Sequence, residues 1–88
     1  MTLTELRYAV ALAETRHFGR AASACFISQP TLSIAVKRLE ATLAVTLFER
    51  GSSEVTLTEA GERLIPQARR VLEEAAALKA MAGTLNNP

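Results

Sequence analysis

Residues 28 to 38 read Ser-Gln-Pro-Thr-Leu-Ser-Ile-Ala-Val-Lys-Arg. This stretch gathers the side chains best suited to recognition chemistry. Wound as a helix, it puts Pro30, Thr31, Ser33, Ile34, Lys37 and Arg38 away from its apolar stripe, with Gln29 at the start. A carboxamide such as Gln29 can pair bidentately with adenine. The hydroxyls of Thr31 and Ser33 can donate or accept, and Pro30 and Ile34 can lie against a thymine methyl. Lys37 and Arg38 suit phosphate, which gives affinity without sequence information. Any one of them alone could be a solvated surface residue. Their gathering on one face of a capped helix carries the signal.

Little else in the chain suggests chemistry. There is one cysteine, Cys25, and one histidine, His17. A disulfide within the chain is therefore excluded. Cys25 lies in the apolar run Ala24-Cys25-Phe26-Ile27, where a small buried hydrophobe is the expectation. A reducing cytoplasm fits this cysteine usage. No carboxylate pair, metal-ligand cluster or glycine-rich phosphate loop stands out. An enzyme thus ranks far behind a binding protein, and no cofactor, metal or small-molecule ligand is expected. The net charge is only +1, lower than many DNA-binding domains carry. That balance leaves a helical protein-interaction module as the second reading.

The elements that must position the polar face follow from caps and periodicity. Eighty-eight residues make one small domain, burying about 60–65% of its unfolded surface. Thr2-Leu3-Thr4-Glu5 matches a capping box. Leu3, Leu6, Val10 and Ala13 then mark one buried helical face, fading near Thr15-Arg16-His17. A short second helix is expected from Gly19 to Cys25, with Ala21 and Ala22 allowing close approach. The turn Phe26-Ile27-Ser28 follows, and Ser28 caps a third helix with Pro30 in its first turn. Leu32, Val36, Leu39 and Leu43 form its apolar stripe. Two helices joined by so short a turn have helix-turn-helix spacing. Val45, Leu47 and Phe48, then Val55, Thr56 and Leu57, predict a hairpin or wing around the turn-forming stretch Arg50-Gly51-Ser52-Ser53-Glu54.

Thr58 caps a last helix that can run to Leu85, about 28 residues or roughly 42 Å. Pro66 removes one of its hydrogen bonds. Gly61, Leu64, Ala68, Val71, Ala75, Leu78, Ala82 and Leu85 alternate at three and four, small with large. This is a coiled-coil seam, and it predicts a homodimer through this helix. Heptads do not choose between parallel and antiparallel pairing. The tail Asn86-Asn87-Pro88 is expected to fray. No apolar run reaches the length of a membrane span, and no secretory signal is visible. The expected division is a winged helix-turn-helix over 1–57 and a linker helix over 58–88.

Ala21-Ala22, Ser28-Gln29-Pro30-Thr31-Leu32-Ser33, Leu39-Glu40, Leu47-Phe48-Glu49-Arg50 and Leu57-Thr58-Glu59-Ala60-Gly61 resemble, in order and spacing, the LysR-type transcriptional regulators. The likeness covers residues 1 to about 80. His17-Phe18-Gly19-Arg20-Ala21-Ala22, Cys25 and the SQPTLS run are most similar to its peroxide-sensing OxyR group. The resemblance implies a mainly α winged helix-turn-helix with antiparallel linker helices, acting on double-stranded DNA. It also implies a longer protein, usually tetrameric, whose sensing domain holds the peroxide-reactive cysteines. Cys25 is then not the sensor. A LysR-type regulator of another effector class is the alternative within the family. The candidate DNA contacts become Ser28, Gln29, Pro30, Thr31, Ser33, Ile34, Lys37 and Arg38, with Arg50 from the wing. Two departures stand out. Ser53 replaces an arginine that many members present to the minor groove, and Ile34 stands where some have a polar or basic residue. His17 replaces a common serine, leaving a backbone or phosphate contact and plain packing both open.

Overall fold

The structure, a computed structural model, describes residues 1–51 and 54–86. Helix α1 spans Leu3–Thr15, α2 Phe18–Ala24 and α3 Gln29–Leu43. Strands β1 (Phe48–Arg50) and β2 (Val55–Leu57) follow, and α4 runs Glu59–Asn86. The strands pair antiparallel with Phe48 opposite Leu57 and Arg50 opposite Val55. The fold is the expected winged helix-turn-helix with a long helix behind it. Ser52 and Ser53 of the wing loop, and Asn87 and Pro88 of the tail, lie outside the described residues. The expectation about Ser53 therefore concerns a position not described, and of the tail expected to fray Asn86 is instead the last residue of α4, while Asn87 and Pro88 lie outside the described residues.

Each helix starts at a side-chain cap. Thr2 and Glu5 form both bonds of the capping box, at 3.0 and 3.2 Å. Ser28 Oγ accepts from the Thr31 amide at 3.2 Å, and Thr58 Oγ1 accepts from the Gly61 amide at 3.0 Å. The cap of α2 is His17, whose Nδ1 accepts from the Arg20 amide at 3.1 Å. That bond starts α2 one residue before the expected Gly19, and gives His17 a backbone role. The sequence did not point to it, because histidine is not a usual cap.

The helices stop on residues with left-handed backbone: Arg16, Phe26 and Ala44, at φ 56°, 58° and 57°. At the end of α2 the Phe26 amide bonds the Ser23 carbonyl and the Ile27 amide bonds that of Ala22. This Schellman closure reverses the chain sharply into α3. An L-residue there costs about 1 kcal/mol relative to glycine, yet Phe26 is 95% exposed. Cys25, the C-cap just before it, is a half-buried free thiol.

The core lies where α1 meets the other helices. Leu12, Leu32, Leu39 and Leu47 are its largest fully buried side chains, each worth about 1.5–3 kcal/mol of burial. Two expectations on α1 are corrected. Leu3 is exposed, since it sits on the first turn beyond the edge of the core. Ala9 and Leu12, outside the expected stripe, are fully buried because α1 is covered on more than one side.

The seam on α4 is also corrected at its start. Gly61 and Ala68 are buried inside the domain, together with Ile65. Leu64 and Val71 are half-buried against the same core. The chain thus covers the first turns of α4 itself, and these seam positions face its own core instead of a second helix. Only farther along does the stripe emerge: Ala75 is half-buried, and Leu78, Ala82 and Leu85 are exposed. Pro66 lies within α4 on an exposed face, and the helix continues past it.

Gly61 is held to glycine by contact. A Cβ built there would lie 2.2 Å from the Leu47 carbonyl oxygen, which is backbone and cannot swing aside. Gly61→Ala is expected to lower unfolding stability by about 3 kcal/mol, toward the upper end of overpacking effects. Urea denaturation at matched protein concentration measures this, and a loss under about 1 kcal/mol would contradict the tight approach.

Candidate nucleic-acid interface

The polar face begins at a helix terminus locked by its own side chains. Besides capping Thr31, Ser28 Oγ shares a 2.8 Å hydrogen bond with Thr31 Oγ1. Pro30 occupies the first turn without loss, because no partner exists there for an amide hydrogen. Gln29, Pro30, Thr31, Lys37 and Arg38 are all exposed. Ile34 is 53% exposed, an apolar surface available for contact. Ser33 is half-buried on the side facing the wing.

Arg50 ties that side to the wing. The sequence reading put it in the loop; it lies in β1, paired with Val55. Its Nη2 donates to Ser33 Oγ at 3.2 Å, and its guanidinium lies over the Phe18 ring, 4.2 Å from the centroid. One side chain thus joins α2, α3 and β1. A stacked, exposed cation contributes about 0.5–1 kcal/mol. Its stronger effect is to orient Ser33: a hydroxyl that accepts from Arg50 keeps its own proton free to donate outward.

The wing is also fixed from behind. Glu40 Oε2 on α3 accepts from the Leu47 amide at 2.6 Å and the Phe48 amide at 3.3 Å. The Leu47 carbonyl accepts from the Thr58 amide at 3.0 Å. At the other strand, the Val55 amide donates to the Arg16 carbonyl at 3.0 Å. The two-stranded hairpin, too small to stand alone, is pinned to α1, α3 and the start of α4. Among the described residues, no group of three or more His, Cys, Asp or Glu gathers as a metal site would require.

Known proteins share this arrangement. The family described as "Bacterial regulatory helix-turn-helix protein, lysR family" matches residues 3–62. That is well over half of the 88 residues. The chain belongs to the lysR family. Its sequence is 54% identical over 82 residues to the "DNA-binding transcriptional dual regulator OxyR" of Escherichia coli K12, covering 93% of this chain and 27% of the relative. It is similar in structure to a full-length OxyR variant from Pseudomonas aeruginosa, with TM-score 0.91 and 55% identity over 96% of this chain and 28% of that one. It is also similar to the BenM DNA-binding domain in complex with catB site 1 DNA, with TM-score 0.95 and 34% identity over 100% and 99% of the two chains. The chain therefore spans about a quarter of the length of curated relatives such as the Escherichia coli protein.

In this lysR-family domain the expected contact residues of α3 do share an open face, and Arg50 is tied to that face through its bond to Ser33. Phe18, His17 and Glu40 were not picked out for these roles by sequence reasoning. Phe18 starts a helix too short for periodicity to define a face. Glu40 follows the apolar Leu39 in a mid-helix position where a carboxylate usually meets water, and its targets lie seven and eight residues on.

Replacing Glu40 by alanine removes two charge-assisted bonds to the wing. Glu40→Ala is expected to reduce stability by about 2 kcal/mol. Hydrogen exchange should quicken at the Leu47 and Phe48 amides well before it does at Leu12. Equal protection of the Leu47 amide in both proteins would show that the carboxylate does not hold the wing.

Proposed function

We propose that the chain binds double-stranded DNA sequence-specifically, as the DNA-binding part of a dimeric transcription regulator of the hydrogen peroxide response. The observation that carries this reading is the exposed polar face of α3 behind its Ser28 cap, braced to the wing through Arg50 and Ser33. Gln29, Pro30, Thr31, Ser33 and Ile34 would meet base edges in the major groove, with Ser28 as the cap beside them. Lys37 and Arg38 would meet phosphate. The peroxide response is supported by the similarity to OxyR and by a second relative. The "Probable hydrogen peroxide-inducible genes activator" of Mycobacterium xenopi is 47% identical over 87 residues. Regulation, not catalysis, is then the activity, and the site of action is bacterial cytoplasm.

Pairing through α4 belongs to the same reading. Leu78, Met81 and Leu85 are 71%, 65% and 80% exposed, an apolar stripe of the kind another helix covers. A groove nearer the domain, between Leu3 and Leu72, Ala75 and Ala76, continues it. Residues 1–57 would do the DNA work and 58–88 the pairing, with the first turns of α4 shared between them. In the longer protein a second pair of contacts would give a tetramer.

Footprinting on genomic fragments at low salt tests the DNA reading. Protected paired half-sites upstream of peroxide-induced genes are expected, with protection weakening steeply as salt rises. Protection only near other genes would favour a regulator of another effector class. No protection by the folded protein would leave the interaction-module reading. Leu78→Glu is expected to shift sedimentation from dimer to monomer while leaving the circular dichroism of the domain intact. An undiminished dimer would mean that the exposed stripe is not the pairing surface.

A further inference from the structure

Of the three left-handed non-glycine residues, Phe26 and Ala44 carry no polar side chain, whereas Arg16 carries a cation. Glycine is the usual residue at such a helix end, since it meets no Cβ clash there. A strained backbone kept by a chemically capable side chain points to a function for that side chain. The main chain at Arg16 is held by hydrogen bonds at both its amide and its carbonyl. Its amide donates to the Leu12 carbonyl at 2.8 Å, and its carbonyl accepts from the Val55 amide at 3.0 Å. Glycine would make both bonds equally well, so they do not account for the guanidinium. Among the described residues that guanidinium has no hydrogen-bond or ion-pair partner, and the residue is exposed.

Arg16 lines an open cleft of about 220 Å³ with His17, Gln29, Arg50 and Glu54. Arg50 is engaged by Phe18 and Ser33, and Glu54 is the one acid among the described lining residues. The cleft lies between the start of α3 and the wing. When a recognition helix enters the major groove with its start at the base edges, the first helix of the motif crosses the sugar-phosphate backbone, and Arg16 lies just before that helix, α2.

We propose that Arg16 is a DNA-phosphate contact. Its guanidinium takes the phosphodiester that crosses this cleft beside Gln29, a residue lining the same cleft. This rests on the DNA-binding reading above and adds to it a residue at the end of α1, outside the helix-turn-helix and the wing.

The test measures melting and DNA binding on the same variants, using a fluorescein-labelled duplex of mixed sequence across a salt series. Arg16→Gly relieves the strain and removes the cation. It is expected to raise the melting temperature by roughly 4–8 °C. It should also weaken binding about tenfold at low salt and lower the salt slope by about one. Arg16→Ala keeps the strain, so it should show the same binding loss without the gain in melting temperature. Arg16→Lys should keep the wild-type slope. Wild-type affinity and slope in Arg16→Gly would overturn the proposal, as would a lower melting temperature, which would assign the side chain to packing. If the wild-type chain binds no duplex, the DNA-binding reading fails and this proposal with it. Wild-type binding with an unaffected Arg16→Gly variant sinks the proposal alone.

Discussion

The backbone of Leu47 is gripped from three sides. Its amide goes to the Glu40 carboxylate, its carbonyl takes the Thr58 amide, and Gly61 sits against that same carbonyl. The recognition helix, the wing and the long helix meet here, so their mutual angles are set at one residue. A buried peptide group has to find partners, and this one finds them on elements before and after it in the chain. The Leu47 side chain is 1% exposed, and its burial adds apolar stabilisation to the same junction. The wing has only three residues per strand, and this grip fixes its inner end together with the bonds from the Phe48 amide to Glu40 and from Thr58 Oγ1 to the Thr46 carbonyl.

Sharp helix ends complete the geometry. Arg16, Phe26 and Ala44 turn the chain in the left-handed region, and each turn bonds carbonyls that the preceding helix leaves open. The closure at Phe26 holds α2 against α3. The one at Arg16 presents a carbonyl to β2, so the end of α1 supports the outer strand of the wing. Arg50 then ties the front of the wing to Phe18 and Ser33. The polar face of α3 is rigid because it is braced on both flanks, which suits a surface that has to present donors and acceptors in fixed positions.

The stripe along α4 serves two surfaces in succession. From Gly61 to Ala68 it completes the core of its own domain, and from about Ala75 it emerges from it. A heptad pattern records that something covers a helix and does not record what. The molecule extends 53 Å along its longest axis against 25 and 19 Å across, in keeping with a helix that projects beyond its own domain.

Much of this was legible in the residue order. The capping box at Thr2, the Ser28 cap with Pro30 behind it, the turn after Cys25 and the period of the α3 stripe are local signals. They reach no more than a few residues, so they survive without knowledge of the fold. The polar run from Gln29 to Arg38 was readable for the same reason. The partners of Glu40, the stacking of Arg50 on Phe18 and the seat of Gly61 against Leu47 join residues 7 to 32 positions apart. No periodicity encodes such pairs, because they depend on how whole elements pack. Residue order therefore sufficed for a winged helix-turn-helix of the lysR type and for the face of α3 left open. Packing decided that Arg50 braces Ser33 and that the first half of the α4 stripe belongs to the domain's own core. Those assignments depend on distance in space, which is settled only when the helices close around Leu12, Leu32, Leu39 and Leu47.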